Sequence, residues 1–150
     1  ANITPENIRL DDEVPHIRIR PTKDRELKSG ASVRDIPLVG VALEAMRQAP
    51  NGFPHYRDRS YLLSASLTKA FKAKALFPTM QHRIYSFRHS FKNRMFEAGL
   101  DFGLRCTLMG HRNPRPEYGD GGSLAYRRDE LLEIAHPTSD ELLQSYPFKG

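Results

Sequence analysis

The sequence predicts a mainly α fold with a small antiparallel β hairpin, an α+β domain, and three observations carry that expectation. Apolar residues recur at helical spacing in five or six segments, most opened by a serine or aspartate and closed by glycine or proline. The clearest alternation of apolar and polar residues, the period of a half-buried strand, falls between Val14 and Arg20. The length, 150 residues, is that of one domain, enough to bury roughly 70% of the unfolded surface around a core.

In chain order, Val14-Pro-His-Ile-Arg-Ile-Arg20 is the first strand and Val33–Leu38 the second, joined by the polar segment 21–32 as a long loop. Pro37 opens a helix through Val41, Leu43 and Met46 that closes near Pro50-Asn51-Gly52. Ser60 caps the next, whose positions Leu63, Leu67, Ala70 and Phe71 share a face, and Pro78 ends it. Ser86 caps a third, with Phe87, Phe91, Met95 and Ala98 as its buried stripe and Gly99 as its stop. A short helix runs from Asp101 to about Met109, carries Cys106 as a small core residue and stops at Gly110. Segment 113–122, rich in proline and glycine, is a loop. Ser123 caps a helix with Leu124, Leu131 and Ile134 inward. Thr138-Ser-Asp-Glu141 then forms a capping box before a tail helix, Leu142–Ser145.

Composition narrows the function. There is one cysteine and no tryptophan, so a disulfide scaffold is out and the lone thiol fits a reducing compartment. Apolar runs fall far short of the roughly 20 residues that span a bilayer, and the start lacks a signal-peptide layout. A soluble cytoplasmic domain is expected.

The net charge of +5 is unevenly placed: residues 56–94 carry nine Lys/Arg against one acid, Asp58, leaving −3 on the other 111 residues. Basic side chains interleaved with Phe87, Phe91, His82 and His89 suit a polyanion, whose counterions they displace. The candidate DNA contacts are Lys69, Lys72, Lys74, Arg83, Lys92 and Arg94. The competing reading is a pair of helices with solvated basic faces. Asp129, Glu130, Glu133, Asp140 and Glu141 make the C-terminal part acidic, so it faces away from phosphate. His82 and His89 lack a nearby cysteine or acidic third ligand, and no metal site is expected. No Gly-rich phosphate loop and no nucleophile elbow is present.

Arg88 opens the third helix beside its apolar stripe, where a guanidinium can be held rigidly for bidentate phosphate recognition. It has company. Tyr85-Ser-Phe-Arg88-His89-Ser-Phe91, then Leu108-Met-Gly-His111 and Tyr118-Gly119, resembles the signature of the tyrosine recombinases, the phage-integrase family. That family has a His-x-x-Arg box opening a helix, a Leu-[Leu/Met]-Gly-His turn some twenty residues on, and a nucleophilic tyrosine soon after. Here Arg88 precedes His111 by 23 residues and Tyr118 follows seven later. Upstream, Lys28-Ser-Gly-Ala-Ser-Val-Arg34-Asp-Ile36-Pro37-Leu38 is similar to the family's hairpin, a turn lysine before an Arg-x-[Ile/Val]-Pro-Leu strand end.

The resemblance spans about residues 1–136, which it identifies as an integrase-like catalytic domain, with 137–150 as a tail helix that docks on a neighbouring protomer. It implies site-specific DNA recombination through a 3′-phosphotyrosine, with no metal or nucleotide cofactor, because the phosphoester energy is kept for rejoining. Arg88 would clamp the scissile phosphate, His111 would hydrogen-bond it, Lys28 would protonate the leaving 5′-oxygen, and Tyr118 would attack. Tyr126 competes as nucleophile but falls in a helix, whereas Tyr118 lies in a glycine-rich loop free to swing. The implied partners are double-stranded DNA and further copies of the chain, a tetramer in the active complex. The implied setting is a bacterial mobile element or prophage, with the protein on the nucleoid when bound.

Two departures stand out. Tyr85 occupies the first box position, usually histidine; a phenol can donate to phosphate but is a poor base at neutral pH. The family's first catalytic arginine lies on a helix upstream of the segment that Asn2–Ile8 resembles, so these 150 residues by themselves are expected to be inactive. Two alternatives follow: a DNA-binding fragment or decayed relative that does not cut, and a basic helical protein-interaction domain without a DNA role.

Overall fold

Short alternating and extended segments at the N-terminal end make a three-stranded antiparallel sheet, and helical periodicities supply the rest of a mainly α, α+β fold. The computed structural model describes residues 3–21, 30–115 and 121–138. The strands are β1 (Ile8–Arg9), β2 (His16–Ile19) and β3 (Arg34–Pro37), in the order β1-β2-β3. Among the described residues five α-helices follow: α1 (Gly40–Gln48), α2 (Ser60–Ala73), α3 (Ser86–Glu97), α4 (Phe102–Met109) and α5 (Leu124–Leu132). The expected hairpin is β2–β3, with Ile17 opposite Ile36 and Ile19 opposite Arg34. The added strand β1 is only two residues long, too short for alternation to announce it. The tail helix 142–145 and the docking ascribed to it lie outside the described residues.

Among the described residues two apolar clusters pack against the sheet. Met95, Leu100, Leu104, Leu108, Met109, Leu131 and Ile134 join α3, α4 and α5, with Ile36, Val39 and Phe91 packed against them. In the second cluster Ile8, Leu38 and Met46 tie the sheet to α1. Cys106 is buried on α4, as a small core residue should be.

Several boundaries differ from expectation, each for a local reason. Pro37 ends β3 rather than opening a helix: it pairs opposite His16, and the Leu38 N–H continues the ladder to the Pro15 carbonyl at 2.8 Å. A fixed φ suits extended backbone as well as a helix start. The helix opens at Gly40, whose φ is 52°; a Cβ there would stand 2.3 Å from the His136 carbonyl oxygen. Ser60 is the first helical residue of α2 and does not cap it; Arg59 holds the cap position without a side-chain bond. That helix ends at Ala73, and Ala75 (φ 51°) turns the chain before Pro78 is reached.

Ser86 does not cap α3 either. The chain enters already helical at Tyr85 (φ −62°, ψ −19°), and the Ser86 hydroxyl accepts the Arg83 N–H at 3.0 Å. The apolar stripe holds for Met95 and Phe91, but Phe87 is exposed and meets Phe71 of α2 edge-on at 5.6 Å. Ala98 is exposed too. By contrast, Asp101 caps α4 by accepting the Leu104 N–H at 3.0 Å, Gly110 stops it, and Ser123 caps α5 through the Tyr126 N–H at 3.1 Å.

Candidate functional site

The site is built where α4 ends. Its last carbonyls have no donors within the helix, and Gly110 turns the chain in the left-handed region (φ 66°), presenting His111 at the surface. From α3, the half-buried Arg88 reaches across: its Nη2 donates to the Met109 carbonyl at 2.7 Å and lies 3.0 Å from His111 Nε2. Two residues 23 apart in sequence thus meet directly. Because a guanidinium only donates, Nε2 accepts, and the imidazole in this arrangement is neutral with its proton on Nδ1. Desolvation and the positive charges of Arg88, Lys92 and Arg34 hold the His111 pKa below its ordinary value.

Beside this pair opens a cleft of about 870 Å³ whose lining includes His111 together with Arg20, Arg34, Arg112, Arg115 and Arg127. Among the described residues the acid lining it is Asp35, which is paired with Arg20 at 2.6 Å. Arg127 is buried on α5: its Nε donates to the Gly121 carbonyl at 3.2 Å and Nη1 to the Asp35 carbonyl at 3.3 Å. Ala31, Arg115 and Gly121 also line the cleft, so the described chain next to segments 22–29 and 116–120 borders it. Lys28 and Tyr118 fall in those segments, outside the described residues.

The other candidates distribute as follows. Tyr85 stands exposed at the start of α3, its ring edge-on to His89 at 5.3 Å. His89 itself is exposed, and the core side of α3 is filled by Phe91 and Met95. Lys69 and Lys72 are exposed on α2, Lys74 follows at its C-terminus, and Lys92 is exposed on α3. The Arg83 guanidinium donates to the His82 carbonyl at 2.9 Å and to that of Met80. Arg94 turns inward: it bonds the Ile134 carbonyl and His136 Nε2, holding the chain that leaves α5.

Tyr126 is in α5, and desolvation with the nearby carboxylates of Glu130 and Asp101 raises its pKa. That surrounding disfavours the phenolate. Among the described residues no group of three or more His, Cys, Asp or Glu could hold a metal ion, and no helix is long and apolar enough to cross a membrane.

Sequence reasoning passed over Arg127 and gave Arg34 no role. A signal for Arg127 exists: with Leu124, Leu131 and Ile134 it follows the helical repeat of the buried face, so its charge is carried inward. Comparison with protein-family models, with curated proteins and with solved structures yields no match.

Proposed function

We propose that the chain breaks and rejoins DNA strands in site-specific recombination, as the catalytic part of a tyrosine recombinase. The observation that carries this reading is the meeting of Arg88 and His111 at 3.0 Å on the rim of an arginine-lined cleft. A phosphodiester entering there would take the place of His111 as partner of the Arg88 guanidinium; with a proton taken up on His111 Nε2, both groups would then donate to its non-bridging oxygens. Such donors act where transition-state charge develops. Tyr118 is three residues from Arg115 and three from Gly121, within about 11 Å of extended chain from either cleft residue.

In the proposed step the Tyr118 phenol gives up its proton to water and its oxygen bonds to phosphorus. The bond from phosphorus to the 5′-oxygen breaks, and Lys28 supplies the proton which that oxygen takes up. A 3′-phosphotyrosine and a 5′-hydroxyl result; reversal onto a different 5′-hydroxyl completes the exchange. Double-stranded DNA is the substrate, and further copies of the chain are the partners that exchange needs.

The test is a nicked suicide duplex given to the full-length protein. A covalent protein–DNA adduct is expected, lost in Tyr118→Phe. An adduct that survives this substitution sinks the nucleophile assignment. Salt-dependent duplex binding with no adduct would instead favour a DNA-binding relative that does not cut, and absence of binding at low salt a protein-interaction role.

A further inference from the structure

Two carbonyls at the end of α4 are held by arginines from distant parts of the chain. Arg88 of α3 takes that of Met109. The Leu108 carbonyl accepts from Arg34 Nε at 3.3 Å, and the same guanidinium donates through Nη1 to the Ser32 carbonyl at 2.8 Å. Arg34 thereby bridges the entry to β3 and the exit from α4. Its plane lies against Gly110: a Cβ at that position would stand 2.4 Å from Nη1 and 2.7 Å from Cζ. The next residue is His111, whose N–H closes back on the Cys106 carbonyl at 2.9 Å. A planar fork with five donors can hold two carbonyls at a set angle, which a lysine cannot.

We propose that Arg34 is a positioning residue, locking the Gly110–His111 turn so that His111 and Arg88 converge on one phosphate. Its consequence for cleavage rests on the recombinase reading above; the geometry does not. The cations facing His111 are Arg88 and Lys92 from α3 and Arg34 from β3, with Arg112 and Arg115 following it along the cleft.

The test follows the His111 imidazole by NMR in the 150-residue chain with Arg34→Lys and Arg34→Gln. Arg34→Gln is expected to move the ring resonances and raise the His111 titration midpoint. Arg34→Lys keeps a cation, so the midpoint stays nearer the native one while the ring resonances still move. Ring resonances unchanged in both variants overturn the proposal. Loss of amide dispersion in both also overturns it, since Arg34 would then serve the fold at large.

A second arm measures adduct formation on the suicide duplex by the full-length protein. Arg34→Lys is expected to slow it about 10- to 100-fold, the scale of a small misplacement, with duplex affinity within about twofold of native. If the native protein forms no adduct while His111 responds to Arg34, the recombinase reading fails and positioning stands. If adduct forms and His111 ignores Arg34, positioning alone fails.

Discussion

At the scale of single residues, the neutral His111 facing Arg88 makes the site's pH response predictable in sign. Desolvation and three neighbouring cations depress its pKa in the free protein, and an anion between it and Arg88 would raise it again. Binding a phosphodiester then takes up a proton in the window between the two values. Duplex affinity at fixed salt is therefore expected to strengthen as pH falls through that window and level off below it, and His111→Gln should remove the dependence. Fluorescence anisotropy across pH 5–8 checks this; a pH-independent affinity in the native chain would remove His111 from the interface. Arg88→Gln strips one donor from the Met109 carbonyl and one from the phosphate. Adduct formation is expected to fall by ~10²–10³, against a stability loss of only ~1 kcal/mol in thermal denaturation. The Arg88–His111 pair was legible because motif spacing reports a fixed tertiary relation. Arg34 was not, because what gives it a role is a contact with a carbonyl 74 residues away.

At the scale of elements, α4 is a short helix fixed at both ends, and the two ends do different things. Asp101 caps its start, so Asp101→Ala is expected to cost about 1 kcal/mol in chemical denaturation. Duplex affinity should hardly change, because the His111 end lies at the other terminus. Met95 is fully buried where α3, α4 and α5 converge, and Met95→Ala should cost ~2–5 kcal/mol. A cap variant that abolished DNA binding would mean that α4 is not a rigid support. Asp101, Gly110 and Ser123 were readable in the sequence because each acts on a backbone group within four residues. Ser86 misled for the same locality: a serine's hydroxyl commits to whichever N–H the incoming chain offers, and before α3 a turn offered Arg83. Phe87 looked like core because periodicity reports a face without naming its partner, and its partner is α2.

At the scale of the whole molecule, the count of basic residues overstates the phosphate contacts the protein can make. Residues 56–94 hold nine Lys/Arg, yet Arg94 is turned toward Ile134 and His136, where it pins the end of α5 against α3. Lys69 and Lys72, one turn apart on the exposed side of α2, are free of such packing by their position on the surface. Salt dependence separates the two kinds of cation. Each phosphate neutralised adds about 0.9 to the slope of log affinity against log salt. Lys69→Gln with Lys72→Gln is thus expected to lower that slope by about 2 and to leave the melting temperature nearly unchanged. Arg94→Gln should do the reverse, lowering the melting temperature while the slope stays at its native value. If the lysine pair leaves the slope untouched, α2 does not lie on DNA, and the basic block between Tyr56 and Arg94 reduces to a solvated face with one phosphate site at Arg88.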